Sequence, residues 1–136
     1  MPQRHSHYLP TACPAEYKLF GHNCYKAFTT SLSWQDARST CIADGGQLAE
    51  PVNASINQFL IELGDTKGSS LDFYIGLHDQ NTEGAFEWQD GTPLGSFSDW
   101  GYGEPNNGGN EDCALFNQFN VWNDSSCSYH SPFICE

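Results

Sequence analysis

Oxygen donors crowd the last third of this 136-residue chain. Glu104-Pro105-Asn106-Asn107 is followed by Glu111-Asp112, and Asn123-Asp124 comes directly after Trp122. Carboxylates and amide carbonyls are the ligands of hard cations, and Ca²⁺ takes roughly six to eight of them in flexible geometry. No His lies among these residues, which disfavours zinc and copper. Spacing alone leaves two readings open, a calcium site and a solvated acidic loop. Charge distribution bears on the choice. All five basic residues (Arg4, Lys18, Lys26, Arg38, Lys67) precede residue 68, and eleven acids follow it with no Lys or Arg. These acids are interleaved with Trp88, Trp100, Phe116 and Trp122, so their mutual repulsion falls near ordered structure, where a bound cation would relieve it.

Other chemistry is poorly served. His5, His7, His22, His78 and His130 have no metal or triad spacing, and no H-E-x-x-H or G-x-S-x-G motif occurs. A glycosidase acid–base pair could be drawn from the abundant carboxylates, but those that cluster are the ones calcium would claim. The chain therefore reads as a binding module with no catalysis. Its net charge of −12 has the wrong sign for nucleic acid or an anionic membrane, and no apolar run is long enough for membrane insertion.

The elements that must position these donors differ between the halves. Ser33 with Asp36 resembles an N-cap, Trp34, Ala37 and Cys41 repeat with helical spacing, and Gly45-Gly46 supplies a stop. A second helix is expected from about Ser55 to Leu63, with Ile56, Phe59, Leu60 and Leu63 as its apolar stripe and Gly64 as its end. The second half reads as short strands and long polar loops. Phe73-Tyr74-Ile75-Gly76-Leu77 is one compact apolar run, and Phe86 and Trp88 alternate with polar residues before an Asp90-Gly91 turn. The stretch from Gly91 to Cys113 has neither period, and a loop of that length in a compact domain is functional when it is ordered.

Six cysteines favour three disulfides and an oxidising, extracellular setting. They contain no C-x₂-C pair that would suggest zinc. Sequence leaves 15 pairings open. Residues 1–12 read as an N-terminal tail and 13–136 as one domain, and Met1–Pro10 lacks the apolar core of a signal peptide. Asn53-Ala54-Ser55 and Asn123-Asp124-Ser125 are glycosylation sequons.

Taken together, the cysteine positions, Tyr74-Ile75-Gly76-Leu77, Glu104-Pro105-Asn106 and Trp122-Asn123-Asp124 resemble a C-type lectin domain, the calcium-dependent carbohydrate-recognition fold. Tyr74 stands where that family usually has Trp. The resemblance implies an α+β fold of two helices, short antiparallel sheets and a long calcium-binding loop region. It also implies the pairs Cys13–Cys24, Cys41–Cys135 and Cys113–Cys127, the first of them marking the longer form of the domain with an N-terminal hairpin. The family's principal calcium site maps onto Glu104, Asn106, Glu111, Asn123 and Asp124, of which Glu104, Asn106, Glu111 and Asn123 would also hydrogen-bond sugar. An auxiliary calcium site would use Asp79, Glu83, Asn107 and Asp112 and share Glu111, with Asn107 replacing a frequent Asp. Asp79 and Glu83 also suit a plain turn before Gly84. The same likeness suggests a cis Glu104–Pro105 bond.

In such domains two adjacent sugar hydroxyls bind the ion and also its ligands. The order Glu-Pro-Asn is similar to members that select mannose-type glycans (mannose, GlcNAc, glucose, fucose) over galactose. Residues Asn107-Gly108-Gly109-Asn110 offer nothing bulky to pack on a sugar ring, so millimolar affinity and avidity through a homo-oligomer are expected. The rival reading is a domain of the same fold that binds a protein, lipid or ice surface.

Overall fold

The computed structural model describes residues 12–106 and 111–136. The first half opens with a hairpin of β1 (Lys18–Phe20) and β2 (Asn23–Leu32), turning at Gly21 in the left-handed region. This is the N-terminal hairpin that the resemblance implies, although residue patterning alone drew only helices in this half and did not outline β2. Its inner positions Cys24, Tyr25 and Ala27 are buried while its distal end is exposed, so only part of the strand carries an apolar signal.

Helix α1 (Trp34–Ala43) starts where its cap requires: Ser33 Oγ accepts from the Asp36 N–H at 3.2 Å. Trp34, Ala37 and Cys41 form its buried face. Helix α2 (Ala54–Asp65) begins at Asn53, whose side-chain oxygen accepts from the Ile56 N–H at 2.9 Å. It runs through Gly64 instead of stopping there. A Cβ at Gly64 would stand 2.9 Å from the Phe73 ring, so this glycine serves close packing and not termination.

Strands β3 (Phe73–His78), β4 (Glu87–Trp88), β5 (Cys113–Phe116), β6 (Trp122–Ser125) and β7 (Ser131–Cys135) complete a seven-stranded sheet in the order β1-β2-β7-β3-β5-β6, with β4 on β3. Among the described residues the pairings between these strands are antiparallel except β3 with β7, which meet in parallel at Tyr74 and Phe133. The sheet is therefore mixed, a departure from the antiparallel expectation. β3 and β7 are buried along their whole length, as expected for strands covered on both faces.

Two apolar clusters fill the interior. One gathers Leu60, Leu63, Phe73, Ile75, Leu77, Trp88, Phe116 and Trp122 against α2, and the other gathers Trp34, Leu48, Tyr74, Leu115 and Phe133 against α1. Tyr74 accounts for the altered position in its motif. Its hydroxyl donates toward the carbonyls of Ser126 (3.0 Å) and Tyr129 (2.6 Å), tying β3 to the segment after β6, and burial pushes its ionisation up.

Disulfides join Cys13 to Cys24, Cys41 to Cys135 and Cys113 to Cys127. The second closes a separation of 94 residues, which in the chain-entropy picture removes about 4–5 kcal/mol of unfolded-state freedom.

Gly76 faces the side chain of Gln89, which donates to Leu48 O (2.9 Å) and Glu50 Oε2 (2.7 Å) and accepts from Leu48 N (3.1 Å). A Cβ at Gly76 would drive into that amide. Gly76→Ala is expected to cost at least about 2 kcal/mol through overpacking and loss of this network. A denaturant midpoint unchanged from the parent would refute that assignment.

Candidate functional site

The chemistry-bearing donors meet where the long loop returns to β5 and β6. Trp122, at the start of β6, is fully buried. The rings of Trp88, Phe97 and Trp100 meet it edge-on at centroid distances of 6.3, 5.8 and 5.6 Å. Its indole N–H donates to Asn57 Oδ1 at 2.9 Å, and Asn57 Nδ2 donates to Asp99 Oδ2 at 2.9 Å. Trp122 N donates to Asp99 O, and Gly101 N to Trp122 O. Residues 99–101 are thus pinned alongside β6 by backbone and side chain together. A turn closed by Glu104 N donating to Gly101 O (2.9 Å) then delivers Glu104.

Beyond that turn the Glu104–Pro105 bond is cis. Asn106 N donates to Asp124 Oδ1 at 3.0 Å, and Asn106 Nδ2 lies 3.2 Å from Glu104 Oε2. Asn123 Nδ2 donates to Asp124 O at 3.2 Å, while its Oδ1 accepts from Asn117 Nδ2 at 3.1 Å. Glu104, Asn106, Asn123 and Asp124 therefore form one cluster. Glu111 is half-buried two residues before β5, and no hydrogen bond joins it to this cluster among the described residues. Asn107 and the Gly108-Gly109-Asn110 loop lie outside the described residues, as do residues 1–11 of the tail.

A second group stands nearby. One ligand atom each from Asp79, Glu83 and Asp112 lies within 4.8 Å of the others. Asp79 sits just past β3, 1% exposed, and its Oδ2 accepts from Gly84 N at 2.8 Å. Asp79 N donates to Asp112 O at 2.9 Å, joining the two backbones. The turn reading and the ligand reading of Asp79 are therefore compatible.

Electrostatics test whether these groups suit a cation. Glu104 Oε1, Asp79 Oδ1 and Asp112 Oδ1 are buried oxygens with no hydrogen-bond partner among the described residues. A buried, unpartnered carboxylate oxygen is costly, and a hard cation is the partner its chemistry suits. Burial, then the neighbouring Asp124, pushes Glu104 up to about 7. Burial, then Asp112 and Glu83, outweighs the Gly84 hydrogen bond and pushes Asp79 up to about 6. Both clusters thus hold like charges that resist full ionisation without a counter-ion, and both donor sets fit Ca²⁺.

The pH dependence follows with a definite sign. Carboxyls raised on folding bind more protons in the native than in the unfolded state, so their contribution to stability is present below pH 4 and lost as pH rises through 6 to 7. In chelator the melting temperature is expected to fall by about 5 °C between pH 5 and 7.5, and in millimolar calcium the trend should reverse. Scanning calorimetry in the two buffers decides it, and a parallel pH trend in both would sink the argument.

Sequence reasoning missed several residues here. Asn117 orients Asn123, while Asn57 and Asp99 orient Trp122. Tyr102, fully exposed, and Phe119, 74% exposed, lie in the two turns that carry Glu104 and Asn117. Each is a lone polar or aromatic residue whose role depends on what it meets, so no spacing pattern could have marked it. His78, by contrast, is a buried structural residue whose Nδ1 accepts from Gln80 N at 3.2 Å.

The sequence profile of the Lectin C-type domain matches residues 30–136. The chain belongs to the C-type lectin domain family. It is 40% identical over 126 residues to the CD209 antigen of Symphalangus syndactylus, covering 91% of this chain and 32% of that protein. The domain thus spans about a third of the length of the curated relatives it matches. Among solved structures it is similar to the mouse scavenger receptor C-type lectin carbohydrate-recognition domain (TM-score 0.84, 29% identity, 91% and 96% of the two chains covered). The cow C-type carbohydrate-recognition domain of CD23, in the presence of a GlcNAc2Man3 oligosaccharide, is also similar (0.82, 30%, 91% and 94%). So is the herring type II antifreeze protein (0.81, 27%, 90% and 96%). The C-type lectin fold of this chain, here with two helices and three disulfides, is therefore similar to that of both carbohydrate-recognition domains and an antifreeze protein. This family is generally non-enzymatic. No helix among the described residues is long and apolar enough to cross a membrane.

Proposed function

We propose that this C-type lectin domain binds mannose-type glycans in a calcium-dependent manner outside the cell, in pathogen or cell-surface glycan recognition. The observation that carries the reading is the buried, unpartnered Glu104 Oε1 beside Asp124, in one cluster with Asn106 and Asn123. Glu104, Asn106, Glu111, Asn123 and Asp124 would hold the principal ion, and Asp79, Glu83, Asn107, Glu111 and Asp112 an auxiliary one. Calcium, when bound, supplies a positive centre to which two vicinal sugar hydroxyl oxygens are drawn.

The chain's own groups set orientation. Glu104 and Glu111 accept the hydroxyl protons, and the Asn106 and Asn123 amides donate to the hydroxyl oxygens, so each hydroxyl uses both its donor and its acceptor capacity. Asn106 Nδ2 lies 3.2 Å from Glu104 Oε2 and Asn123 Nδ2 lies 3.2 Å from Asp124 O, which keeps both amide donors at the cluster where a hydroxyl would be received. With Glu before Pro105 and Asn after it, the donor order suits the equatorial 3- and 4-hydroxyls of mannose. Tyr102 and Phe119 add apolar faces for sugars beyond the first. Three disulfides support an extracellular location. Single-site affinity is expected to be about millimolar, raised by multivalency in a homo-oligomer.

On immobilised mannose in millimolar calcium the domain is expected to be retained, released by EDTA and by free mannose, and released poorly by galactose. The antifreeze relative favours a second reading, a non-sugar surface as ligand. Calcium-dependent stabilisation without retention on any sugar column would select it.

A further inference from the structure

Two Asn-x-Ser sequons occur in this chain, and their folded environments differ sharply. Asn53 is exposed at the N-cap of α2. Its Oδ1 is engaged by the Ile56 N–H at 2.9 Å, whereas its Nδ2 makes no hydrogen bond among the described residues. Ser55, the third residue of the sequon, is exposed in the first turn. The atom that carries an N-linked sugar is therefore the free one, and the atom that caps the helix is the other. Because capping uses the carbonyl oxygen alone, a substituent on Nδ2 leaves the cap bond in place.

Asn123 is the internal contrast. It lies within β6, half-buried and paired with Leu115 of β5. Both ends of its amide are in use, Nδ2 on Asp124 O at 3.2 Å and Oδ1 on Asn117 Nδ2 at 3.1 Å. A sugar on Nδ2 would replace a donor in the candidate ligand cluster and stand between Asn117 and Asp124. The Cys113–Cys127 bridge spans this strand pair, so the segment has little room to swing outward.

We propose that Asn53 is an N-glycosylation site of this domain and that Asn123 is left unmodified. The chemistry is a group transfer from a polyprenyl-diphosphate-linked oligosaccharide in the secretory pathway. Asn53 Nδ2 forms a bond to the anomeric C1 of the first N-acetylglucosamine. The C1–oxygen bond to the diphosphate breaks with its electron pair on the departing diphosphate, and one amide proton passes to the transferase's base. The three disulfides place the chain in an oxidising compartment, the route on which this transfer takes place.

The test is secretion of the full chain from a eukaryotic cell, followed by intact mass before and after a peptide amidase that removes N-glycans and leaves Asp. One glycan is expected, mapped by peptide mass to Asn53. Ser55→Ala, which keeps the Asn53 cap, and Asn53→Asp, which keeps a capping carboxylate, should each abolish it, while Ser125→Ala should leave it intact. An unmodified secreted chain, or a glycan mapped to Asn123, overturns the proposal. Two variants of different chemistry guard against a secretion failure in one of them. The mass readout does not depend on sugar binding, so the proposal stands or falls separately from the lectin reading.

Discussion

Asp124→Asn is expected to abolish calcium-dependent retention on mannose while leaving the domain folded and more heat-stable than the parent in chelator. Asp124 is 2% exposed, accepts from Asn106 N at 3.0 Å, and is a leading cause of the upward shift of Glu104. An amide there preserves the oxygen that Asn106 uses and supplies an N–H toward Glu104. Like-charge repulsion thereby becomes attraction in the free domain. Loss of one ligand charge should weaken calcium binding by at least about a hundredfold, since charge count sets affinity in oxygen-donor sites. Opposite signs in the two buffers are the diagnostic. Isothermal titration with calcium and paired melting curves measure them. A variant that melts lower than the parent in EDTA would show Asp124 to be structural, and unchanged calcium affinity would remove it from the ligand set.

Trp122→Ala touches no proposed ligand, yet is expected to cost about 3–5 kcal/mol and to eliminate mannose retention. The indole is wholly buried, meets three aromatic rings and donates to Asn57. Removing it opens a cavity under the 99–101 segment and leaves Asn57 Oδ1 unpaired, so Glu104 loses its fixed approach to Asp124. Trp122→Phe keeps ring packing and forfeits the hydrogen bond, with an expected loss of about 1–2 kcal/mol. Calcium affinity should then fall in the order parent, Phe variant, Ala variant. If the Ala variant binds calcium as tightly as the parent at a temperature where it is folded, the aromatic clamp does not position the site.

How much of this was legible in sequence depends on whether the signal was local. The α1 cap at Ser33 and the apolar stripe of α2 were readable because capping and helical periodicity act within a few residues. Gly64 misled for the opposite reason. As a sequence symbol it reads as a stop, but its neighbour in space is Phe73, across the core. The extent of β2 had no clear pattern because burial fades along its length, and the parallel meeting of β3 and β7 at Tyr74 and Phe133 joins residues far apart in the chain.

The oxygen-donor clusters at 104–112 and 123–124 were marked by residue type, and the two ligand sets followed from the C-type lectin resemblance, which rests on motifs that are properties of the chain. Asn117, Asn57 and Asp99 were marked by neither, because an isolated Asn or Asp acquires a role only from the atom it faces. Residue chemistry by itself determined that this protein is rich in hard oxygen donors, carries three disulfides' worth of cysteine and bears a net charge of −12, the wrong sign for nucleic acid. Tertiary structure decided which donors share a cluster, which carboxylate oxygens are buried without a partner, and which of two identical sequon types presents a free amide. The division has one physical cause. Ligand preference resides in single functional groups, whereas proximity, burial and proton affinity arise only when the Trp122 core brings distant segments into the same few ångströms of low-dielectric space.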